Sequence, residues 1–445
     1  MGDVNSRDPP DKSIVIVGAS ARAAAFSALR AGFQPISADL FADSDLVACC
    51  RAIRVRTADY PDALQAVIAT APPRPWLYTG ALENHADLVG RIAAQRPLWG
   101  NPPEVLRRVR EPFAVATYLK RAGLPHAEVR RTNGDIPAGT HWLLKPIAGA
   151  GGRGVQEYSV LSTHYSARDI NSRDDNGSID DDLGIMPVLG ADNSPVAATD
   201  ALATMRGDYF LQQRIDGLSC SAVFVANGRR AALLGVTQQL VAVPEFHAKP
   251  FHYCGSIGPL PVARETWQGI ARLGDVLAEH FQLIGLFGID GILRDDVFWP
   301  VEINPRYTAS VEVLELISGI PFIALHRDAC VSRTIPQSAP SVAGDWSRQR
   351  QPQRVLGKAI LFAPAALRVS ELTARASELV AWSGRWPVPR LADIPHPGTE
   401  IAAGRPICTV FAAGDSVDEC RRELFAAART IYDHGCKFGM PIVAP

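Results

Sequence analysis

The sequence lacks both net charge and long apolar runs. Its 45 Lys and Arg residues nearly balance its 46 Asp and Glu residues, for a formal net charge of −1, so no electrostatic signal points to nucleic acid or an anionic membrane as a partner. No run approaches the roughly 18 apolar residues that a membrane-spanning helix needs. Residues 1–12 are polar and lack the apolar core of a signal peptide. These absences predict a cytoplasmic protein without a membrane partner.

Cysteines are present but form no recognisable pattern. None of the eight cysteines belongs to a C-x-x-C pair, and only Cys49 and Cys50 are adjacent, which argues against a zinc site or a disulfide framework. Cys220 and Cys254 lie in segments near the site predicted below, yet spacing fixes no histidine that could activate either thiol as a nucleophile. We expect buried or inert thiols.

Length and composition fit a multidomain globular enzyme. A chain of 445 residues exceeds a single typical core and suggests about three domains. A hydrophobic content of 47% with 20% charged residues is ordinary for a globular protein.

One segment late in the chain predicts a β-hairpin. Residues 286–293 and 297–303 are rich in β-branched, aromatic and aliphatic side chains, and the turn-like residues 294–296 separate them. Both runs, and the residues just after them, carry polar side chains that are out of place among these apolar neighbours. These are Asp290, Glu302, Asn304 and Arg306.

The polar side chains of this hairpin are expected to meet on one surface. Because side chains alternate across a strand, Glu302, Asn304 and Arg306 share a face. In a hairpin centred near Asp296, Asp290 lies opposite Glu302 to within about one residue. Like charges placed there repel unless a cation lies between them, and such hard oxygen ligands suit Mg²⁺, with Mn²⁺ as an alternative. A surface hairpin with solvated acids is the competing interpretation.

A second pattern, typical of a phosphate-binding site, lies earlier in the chain. The apolar strand predicted over residues 142–146 carries Lys145, and a loop containing Gly151, Gly152 and Gly154 follows. The ammonium supplies a point charge, and the glycines let backbone N–H groups approach phosphate oxygens. The lysine precedes the glycines and no G-K-[ST] follows, so this is not a P-loop. A flexible surface loop is equally consistent with this segment alone, but together with the acidic hairpin it predicts a nucleoside triphosphate site.

The order of these elements resembles the ATP-grasp superfamily. In that superfamily a strand lysine, a glycine-rich lid loop, a hinge strand and a final acidic hairpin with E-x-N-x-R enclose Mg-ATP between two α+β subdomains. The resemblance spans roughly residues 110–331. It implies that Lys145 contacts the α and β phosphates, that residues 149–154 close over the triphosphate, and that Arg306 steadies the γ-phosphate or an acyl phosphate. The implied magnesium ligands are Asp290, Glu302 and Asn304.

The resemblance also assigns a hinge, with two departures from the family pattern. Residues 210–217 would read the adenine edge through the backbone, with Gln212, Gln213 and Ile215 in the nucleotide pocket. The family commonly has glutamate where Gln213 stands, so Gln213 must accept through its amide oxygen. Arg110 takes the place of an earlier phosphate-binding lysine, which keeps the charge but changes its geometry.

The N-terminal segment predicts a parallel α/β layer. A strand over residues 14–17 leads through a tight turn into a helix that ends before Gly32, and another strand follows near residues 35–38. A dinucleotide-binding Rossmann fold is disfavoured because the turn G-A-S-A-R-A lacks the second and third glycines that admit a pyrophosphate. By the resemblance this is the domain that precedes the grasp, with residues 80–84 as a candidate edge of the acceptor pocket.

The expected fold class is α/β and α+β. We expect an ATP-grasp fold with a Rossmann-like N-terminal pre-grasp domain and a small β-rich C-terminal domain, like the one that follows the grasp in biotin-carboxylase-like ligases. The ATP-grasp domain is predicted to contain an insertion at residues 165–208 that is acidic and poor in aromatic residues. This composition predicts disorder, and an acidic cover or docking segment is the alternative. The predicted units are residues 1–105 (N-terminal domain), 106–332 (ATP-grasp domain, with the insertion at 165–208), 333–354 (linker) and 355–445 (C-terminal domain).

Residues 246–255 are the best candidate for acceptor recognition. His247, Lys249 and His252, joined by aromatic residues, could bind a carboxylate or a planar group, or could simply edge a surface loop. Spacing implies no third ligand, so a metal site is disfavoured here.

Together these elements predict an ATP-dependent carboxylate ligase. With Mg²⁺, Lys145 and Arg306 would neutralise the triphosphate, so that a substrate carboxylate attacks the γ-phosphorus and an amine or other nucleophile then displaces phosphate. The likeness is nearest to carboligase-like proteins related to biotin carboxylase, some of which accompany methanopterin-linked one-carbon pathways. A carboxylase that forms carboxyphosphate from bicarbonate and a non-catalytic Mg-ATP sensor are the alternatives. The predicted partners are a small carboxylate and an amine or other nucleophile. A second copy of the chain is a further predicted partner, in a homodimer.

Overall fold

The computed structural model describes residues 12–132, 136, 140–159, 209–337, 354–369, 380–383 and 385–435. The acidic insertion predicted at 165–208 and most of the linker predicted at 333–354 lie outside the described residues. The domain boundaries remain predictions.

The N-terminal part is a parallel sheet flanked by helices, as predicted. Its strands, in the spatial order β3-β2-β1-β4, are β1 (Ser13–Val17), β2 (Gln34–Asp39), β3 (Arg51–Arg54) and β4 (Trp76–Tyr78). The helices are α1 (Arg22–Arg30), α2 (Ser44–Cys49), α3 (Ala63–Ala69), α4 (Ala86–Ala93) and α5 (Pro103–Val109). Short 3₁₀ turns span Thr57–Asp59 and Leu82–Asn84. Residues 14–17 of β1 are buried, as expected for a parallel strand covered on both faces.

A small antiparallel sheet follows helix α6 (Pro112–Arg121). Its strands, in the order β5-β8-β6-β7, are β5 (Val129–Arg131), β6 (His141–Pro146), β7 (Gln156–Ser159) and β8 (Tyr209–Gln213). The Glu111 side chain accepts hydrogen bonds from the backbone N–H groups of Phe113 and Ala114, which caps α6. The predicted lysine strand is β6, and the predicted hinge begins with β8.

An eight-stranded antiparallel sheet forms the centre of the molecule, in the order β13-β12-β9-β10-β11-β14-β20-β18. Its strands are β9 (Leu218–Asn227), β10 (Ala231–Val241), β11 (Tyr253–Gly258), β12 (Ile284–Arg294), β13 (Val297–Asn304), β14 (Val355–Phe362), β18 (Leu391–Ala392) and β20 (Pro406–Gly414). A 3₁₀ turn, Pro244–Phe246, lies between β10 and β11. Two small pairs accompany the sheet: β15 (Leu367–Arg368) with β19 (Glu400–Ile401), and β16 (Val380–Ser383) with β17 (Pro387–Pro389).

Helices cover both faces of this sheet. They are α7 (Arg264–Phe281), α8 (Ala309–Ser318), α9 (Phe322–Val331) and α10 (Val417–Gly435). Alternation along β9 separates two cores: Phe224 packs with Leu273 of α7, whereas Val223 and Val225 pack with Leu314 of α8. The second core also contains residues of α1 and β1, so the N-terminal layer is joined to the central sheet through shared apolar packing.

The C-terminal strands extend the central sheet. β14 pairs with β11 and with β20, both antiparallel. The C-terminal domain predicted at 355–445 thus contributes strands to the central sheet, because β14 covers an edge of β11 that would otherwise be unpaired.

Over the described part of the chain, no single helix has the length and apolar composition needed to cross a membrane. By those two criteria alone, α8 and α9 qualify only as a pair, and they are bent by 112° at their junction.

Candidate active site

The predicted hairpin is present and brings the two acids together. β12 and β13 pair antiparallel, with Asp290 directly opposite Glu302. Asp295 and Asp296 form the turn at φ values of 50° and 58°, a left-handed geometry that suits hairpin twist and that Asp tolerates. The register predicted from the sequence is confirmed.

The lysine strand and the hinge strand lie against this hairpin. Lys145 Nζ donates to Gln212 Oε1 at 3.0 Å and lies 3.5 Å from the Val301 carbonyl oxygen. Gln212 Nε2 donates to the same carbonyl at 3.1 Å. The early lysine and the late hairpin therefore share one cleft.

Arg110 connects the hairpin with the glycine loop. It follows α5, and its Nη1 donates to Glu302 Oε1 at 2.6 Å. Its Nη2 donates to the Gly149 carbonyl at 2.9 Å and to Asn84 Oδ1 at 3.1 Å. The arginine predicted to replace a phosphate-binding lysine thus lies in the cleft, beside a metal-ligand candidate.

Arg306 is held on three sides. Its Nε donates to Glu83 Oε1 at 2.7 Å, its Nη1 to the Tyr307 carbonyl at 3.2 Å, and its Nη2 to Asn304 Oδ1 at 3.0 Å. Gly80 lies beneath the guanidinium, where an added Cβ would be 3.6 Å from Cζ. Residues 80–84, predicted as an edge of the acceptor pocket, therefore touch the catalytic candidates themselves.

Asp290 is oriented by two amides. Gln239 Nε2 donates to Asp290 Oδ1 and Asn304 Nδ2 donates to Asp290 Oδ2, each at 2.9 Å. Sequence reasoning did not select Gln239, although two consecutive glutamines inside the apolar strand β10 are a signal of the same kind as the acids in the hairpin.

The cleft brings together equal numbers of acidic and basic groups: Asp290, Glu302 and Glu83 with Lys145, Arg110 and Arg306. Burial and then the nearby Glu302 charge raise the pKa of Asp290 to about 6. Burial acts to raise the pKa of Glu302 as well, but Arg110 and Lys145 outweigh it, so the pKa of Glu302 is lowered overall. Burial lowers the pKa of Lys145 despite the attraction of Glu302. Burial thus works against charge on each of these three groups, and only paired charges are stable here.

The donor set fits Mg²⁺. Over the described residues, no three His, Cys, Asp or Glu side chains are grouped for a metal ion. The predicted set is two carboxylates and an amide, which leaves coordination positions for phosphate oxygens and water, as Mg²⁺ prefers. The Asn304 amide oxygen accepts from Arg306, so an ion would share or take over this oxygen.

The glycine-rich loop is docked on the segment between β10 and β11. Tyr253 N–H donates to the Gly151 carbonyl at 3.1 Å. Gly152 has a φ of +82°, and a Cβ there would come within 1.9 Å of the Phe251 carbonyl oxygen. Only glycine allows this approach, so the lid loop and the predicted acceptor segment, residues 246–255, meet.

Comparisons with known proteins agree with this architecture. A family model described as an ATP-grasp domain matches residues 185–310, which include the central hairpin. Biotin carboxylase from Campylobacter jejuni, solved as a β,γ-ATP complex, superposes with a TM-score of 0.63, covering 93% of this chain and 89% of that one at 14% identity. The chain has the ATP-grasp fold. L-amino acid ligase from Bacillus licheniformis shares it, with a TM-score of 0.60 over 94% and 96% of the two chains at 13% identity.

Curated relatives of this chain are distant. The carbamoyl phosphate synthase large chain of Beutenbergia cavernae is 24% identical over 286 residues, which is 60% of this chain and 23% of that one. An uncharacterised protein of Methanocaldococcus jannaschii is 22% identical over 321 residues, 70% of this chain and 63% of that one. The chain therefore spans less than two thirds of the length of either relative. The predicted fold class is confirmed, and so is the resemblance to ATP-grasp ligases.

One side of the ATP-grasp cleft is apolar. Its wall is formed by α6, the segment before β5, and β8, next to Lys145 and Gln212. Val115, Leu119, Val129 and Phe210 are among the apolar residues that line it. An apolar recess beside charged groups suits a nucleobase whose phosphates extend toward the charges.

The two hinge glutamines point in different directions. Gln212 is buried in the cleft, whereas Gln213 is exposed and its Oε1 accepts from the Glu128 N–H. Alternation along β8 produces this difference. Ile215 is buried at the end of the hinge. The structure brings Gln212 to the cleft and turns the Gln213 side chain away, and the roles of all three residues stay predictions.

The remaining candidates are two histidines of the predicted acceptor segment and two cysteines near the cleft. Burial first, and then the positive charges of Arg153 and Lys249, lower the pKa of His252, which favours a neutral ring. His247 packs edge-on against Tyr432, with ring centroids 4.8 Å apart. Burial raises the pKa of Cys220 to about 12 and that of Cys254 to about 11, so both thiols stay protonated and are poor nucleophiles.

Proposed function

We propose that this protein is an ATP-dependent carboxylate ligase of the carboxylate–amine type. The observation that supports this most strongly is the pairing of Asp290 with Glu302 opposite Lys145, Arg110 and Arg306 in one cleft. Two neighbouring acids suit a bridging cation, and three basic groups beside them suit an anion of several charges. Mg²⁺ and a triphosphate meet both needs.

The residues divide the work by position. Asp290, Glu302 and Asn304 would hold Mg²⁺, and the ion would supply charge neutralisation and alignment of phosphate oxygens. Lys145 and Arg110, next to the glycine loop, donate to the α and β phosphates. Arg306 donates to the γ-phosphate.

Nucleotide binding exchanges partners inside the cleft. In the structure Arg110 neutralises Glu302, and Lys145 donates to Gln212. When an ion takes Glu302 and phosphate oxygens take Arg110, each charge keeps an opposite partner and no buried charge is left unpaired.

The chemistry consists of two displacements. A carboxylate oxygen of the substrate attacks the γ-phosphorus, the bond to the bridging oxygen of ADP breaks, and an acyl phosphate results. An amine then attacks the acyl carbon, phosphate leaves with the bonding electron pair, and the amine loses a proton. Both steps need alignment and charge stabilisation more than a protein nucleophile, which agrees with the protonated state of Cys220 and Cys254.

Substrate-dependent ADP release tests this proposal. Purified protein with Mg²⁺ and ATP is screened against panels of carboxylates, with amines and with hydroxylamine, which converts an acyl phosphate to a hydroxamate. We expect ADP release that requires a carboxylate and hydroxamate formation in step with it. ADP release that requires bicarbonate alone would identify a carboxylase instead, and tight MgATP binding without turnover in any mixture would identify a sensor.

A further inference from the structure

The 3₁₀ turn Leu82–Asn84 of the N-terminal layer reaches into the nucleotide cleft. Glu83 Oε1 accepts from Arg306 Nε at 2.7 Å. Asn84 Oδ1 accepts from Arg110 Nη2 at 3.1 Å, and its Nδ2 donates to the Ala148 carbonyl at 3.0 Å. One turn therefore contacts two basic residues of the cleft and the base of the lid loop.

Glu83 is buried, and only one of its two carboxylate oxygens has a hydrogen-bond partner. Its side chain is 1% exposed and that of Arg306 is 13% exposed. Glu83 Oε2 is buried and has no hydrogen-bond partner. A buried pair with an unsatisfied oxygen contributes little net stability, so stability alone gives no reason for an acid at this position.

The contacts of Arg306 fix the plane of its guanidinium. The bonds to Glu83, Asn304 and the Tyr307 carbonyl use three of its five N–H donors, one on each nitrogen. Each Nη atom keeps one further N–H that can donate to a phosphate oxygen. Glu83 is the partner of Nε.

We propose that Glu83 and Asn84 are positioning residues of the nucleotide site. Glu83 aims Arg306 at the γ-phosphate, and Asn84 aims Arg110 at the inner phosphates while holding the base of the lid. This inference rests on the function proposed above. It assigns to the N-terminal layer a share in ATP recognition through orientation of two arginines, because preorganised donors need no rearrangement when phosphate arrives.

Binding of two nucleotides distinguishes positioning from a purely structural role. Calorimetry measures the Kd of the β,γ-imido analogue of ATP and of ADP, each with Mg²⁺, for the wild type and for Glu83→Ala, Glu83→Gln and Asn84→Ala. Because only the ATP analogue has a γ-phosphate, we expect Glu83→Ala to weaken it by about tenfold and to change ADP affinity by less than about threefold. Glu83→Gln keeps an acceptor for Arg306 Nε and should fall between the wild type and Glu83→Ala. Asn84→Ala should weaken both nucleotides alike.

The buried Glu315 provides a matched control. It accepts from the side chains of Ser27 and Arg30 of α1, so it also joins the N-terminal layer to the central domain, but it contacts none of the cleft residues named above. Glu315→Gln should lower the melting temperature while leaving the ratio of the two Kd values unchanged.

The outcomes separate the two proposals. An unchanged Kd ratio in both Glu83 variants, with wild-type protein that binds both nucleotides, would overturn the positioning role and leave the proposed function standing. Failure of the wild type to bind either nucleotide would overturn the proposed function, and the positioning role with it.

Discussion

At the scale of single residues, the two carboxylates of the hairpin differ because their neighbours differ. Glu302 faces Arg110 and Lys145, which keep it ionised. Asp290 is oriented by amides, and burial first and then the Glu302 charge raise its pKa to about 6. A divalent ion between them would favour the ionised form of both carboxylates and so lower the pKa of Asp290 and of Glu302.

Glu302→Ala tests the metal assignment. The substitution removes one ligand and leaves Arg110 free to compete with the ion for phosphate. We expect loss of ATP turnover by about a hundredfold or more, with the fold retained but a lower melting temperature, because the buried Arg110 loses its anionic partner. Phosphate release and a thermal melt measure the two effects. Asp87→Ala, which breaks an exposed pair with Arg107, is the control, and full activity in Glu302→Ala would remove Glu302 from the metal site.

His326 predicts a loss of stability in acid. It is buried, its Nδ1 accepts from the Leu286 N–H at 2.8 Å, and its Nε2 donates to the Trp99 carbonyl at 3.1 Å. Burial lowers its pKa from 6.5 to about 4. Above pH 6.5 the His326 ring is neutral in both the folded and the unfolded protein, so it does not change the free energy of unfolding with pH. Below pH 6.5 the unfolded chain binds a proton that the folded chain does not, and stability falls as the pH drops from 6.5 toward 4.

Denaturant unfolding at a series of pH values measures this effect. Over that pH window the wild type should lose up to about 3 kcal/mol of unfolding free energy through this residue. His326→Gln does not titrate, so its unfolding free energy should fall less steeply over the same window. Parallel pH profiles for the two proteins would show that His326 is not responsible.

At the scale of elements, the lid loop and the segment before β11 act as a unit. Residues 149–154 and 246–255 were selected separately in the sequence, one for phosphates and the other for an acceptor. The contact of Gly151 with Tyr253 makes lid closure and the arrangement of the acceptor segment interdependent. A ligand that orders one is expected to order the other.

Gly152→Ala tests this coupling. An alanine Cβ would meet the Phe251 carbonyl at 1.9 Å, so the lid cannot dock as it does in the wild type, and we expect MgATP affinity to fall by about tenfold. Gly151→Ala is a matched control because it has a similar φ of +64° but no atom within 4 Å of the added Cβ. Both variants carry the cost of a left-handed alanine. Equal nucleotide affinity in the two variants would mean that docking of the lid does not contribute to binding.

At the scale of the whole molecule, a buried ionic network joins the N-terminal layer to the later chain. Arg22 of α1 donates to Glu312 of α8 at 3.0 Å and to Asp393, which follows β18, at 2.7 Å. Lys358 of β14 donates to the same Glu312 at 2.9 Å. The side chains of Arg22 and Glu312 are 5% and 2% exposed, so this pair at the centre of the network is shielded from solvent.

Arg22→Ala should destabilise the whole protein. Removing the arginine leaves Asp393 without its partner and Glu312 with Lys358 alone, and breaking such a buried pair costs about 3–5 kcal/mol. Arg107→Ala, which removes an exposed pair, should change the unfolding free energy by less than about 1 kcal/mol. Chemical denaturation of both variants measures the difference. A change in Arg22→Ala no larger than in the control would contradict the proposed role of the network.

Sequence reasoning succeeded where partners are near each other in the chain. Alternation and the Asp295-Asp296 turn were sufficient to predict the hairpin and the pairing of Asp290 with Glu302. It was less successful where partners come from separate elements. Residues 80–84 were selected as a pocket edge, but nothing local distinguishes Glu83, whose partner Arg306 lies 223 positions away. The same holds for β14, whose pairing with β11 depends on an edge created by distant strands.

The sequence by itself determined the periodicities, the turns and the charged residue types of this protein, because these depend on side chains within a few positions of one another. Only the tertiary structure decided which charges neutralise which, and that the N-terminal turn orients two arginines of the cleft. The physical reason is that such pairings follow from how whole helices and sheets pack, which is the sum of many weak contacts across the molecule. No short stretch of sequence contains that sum.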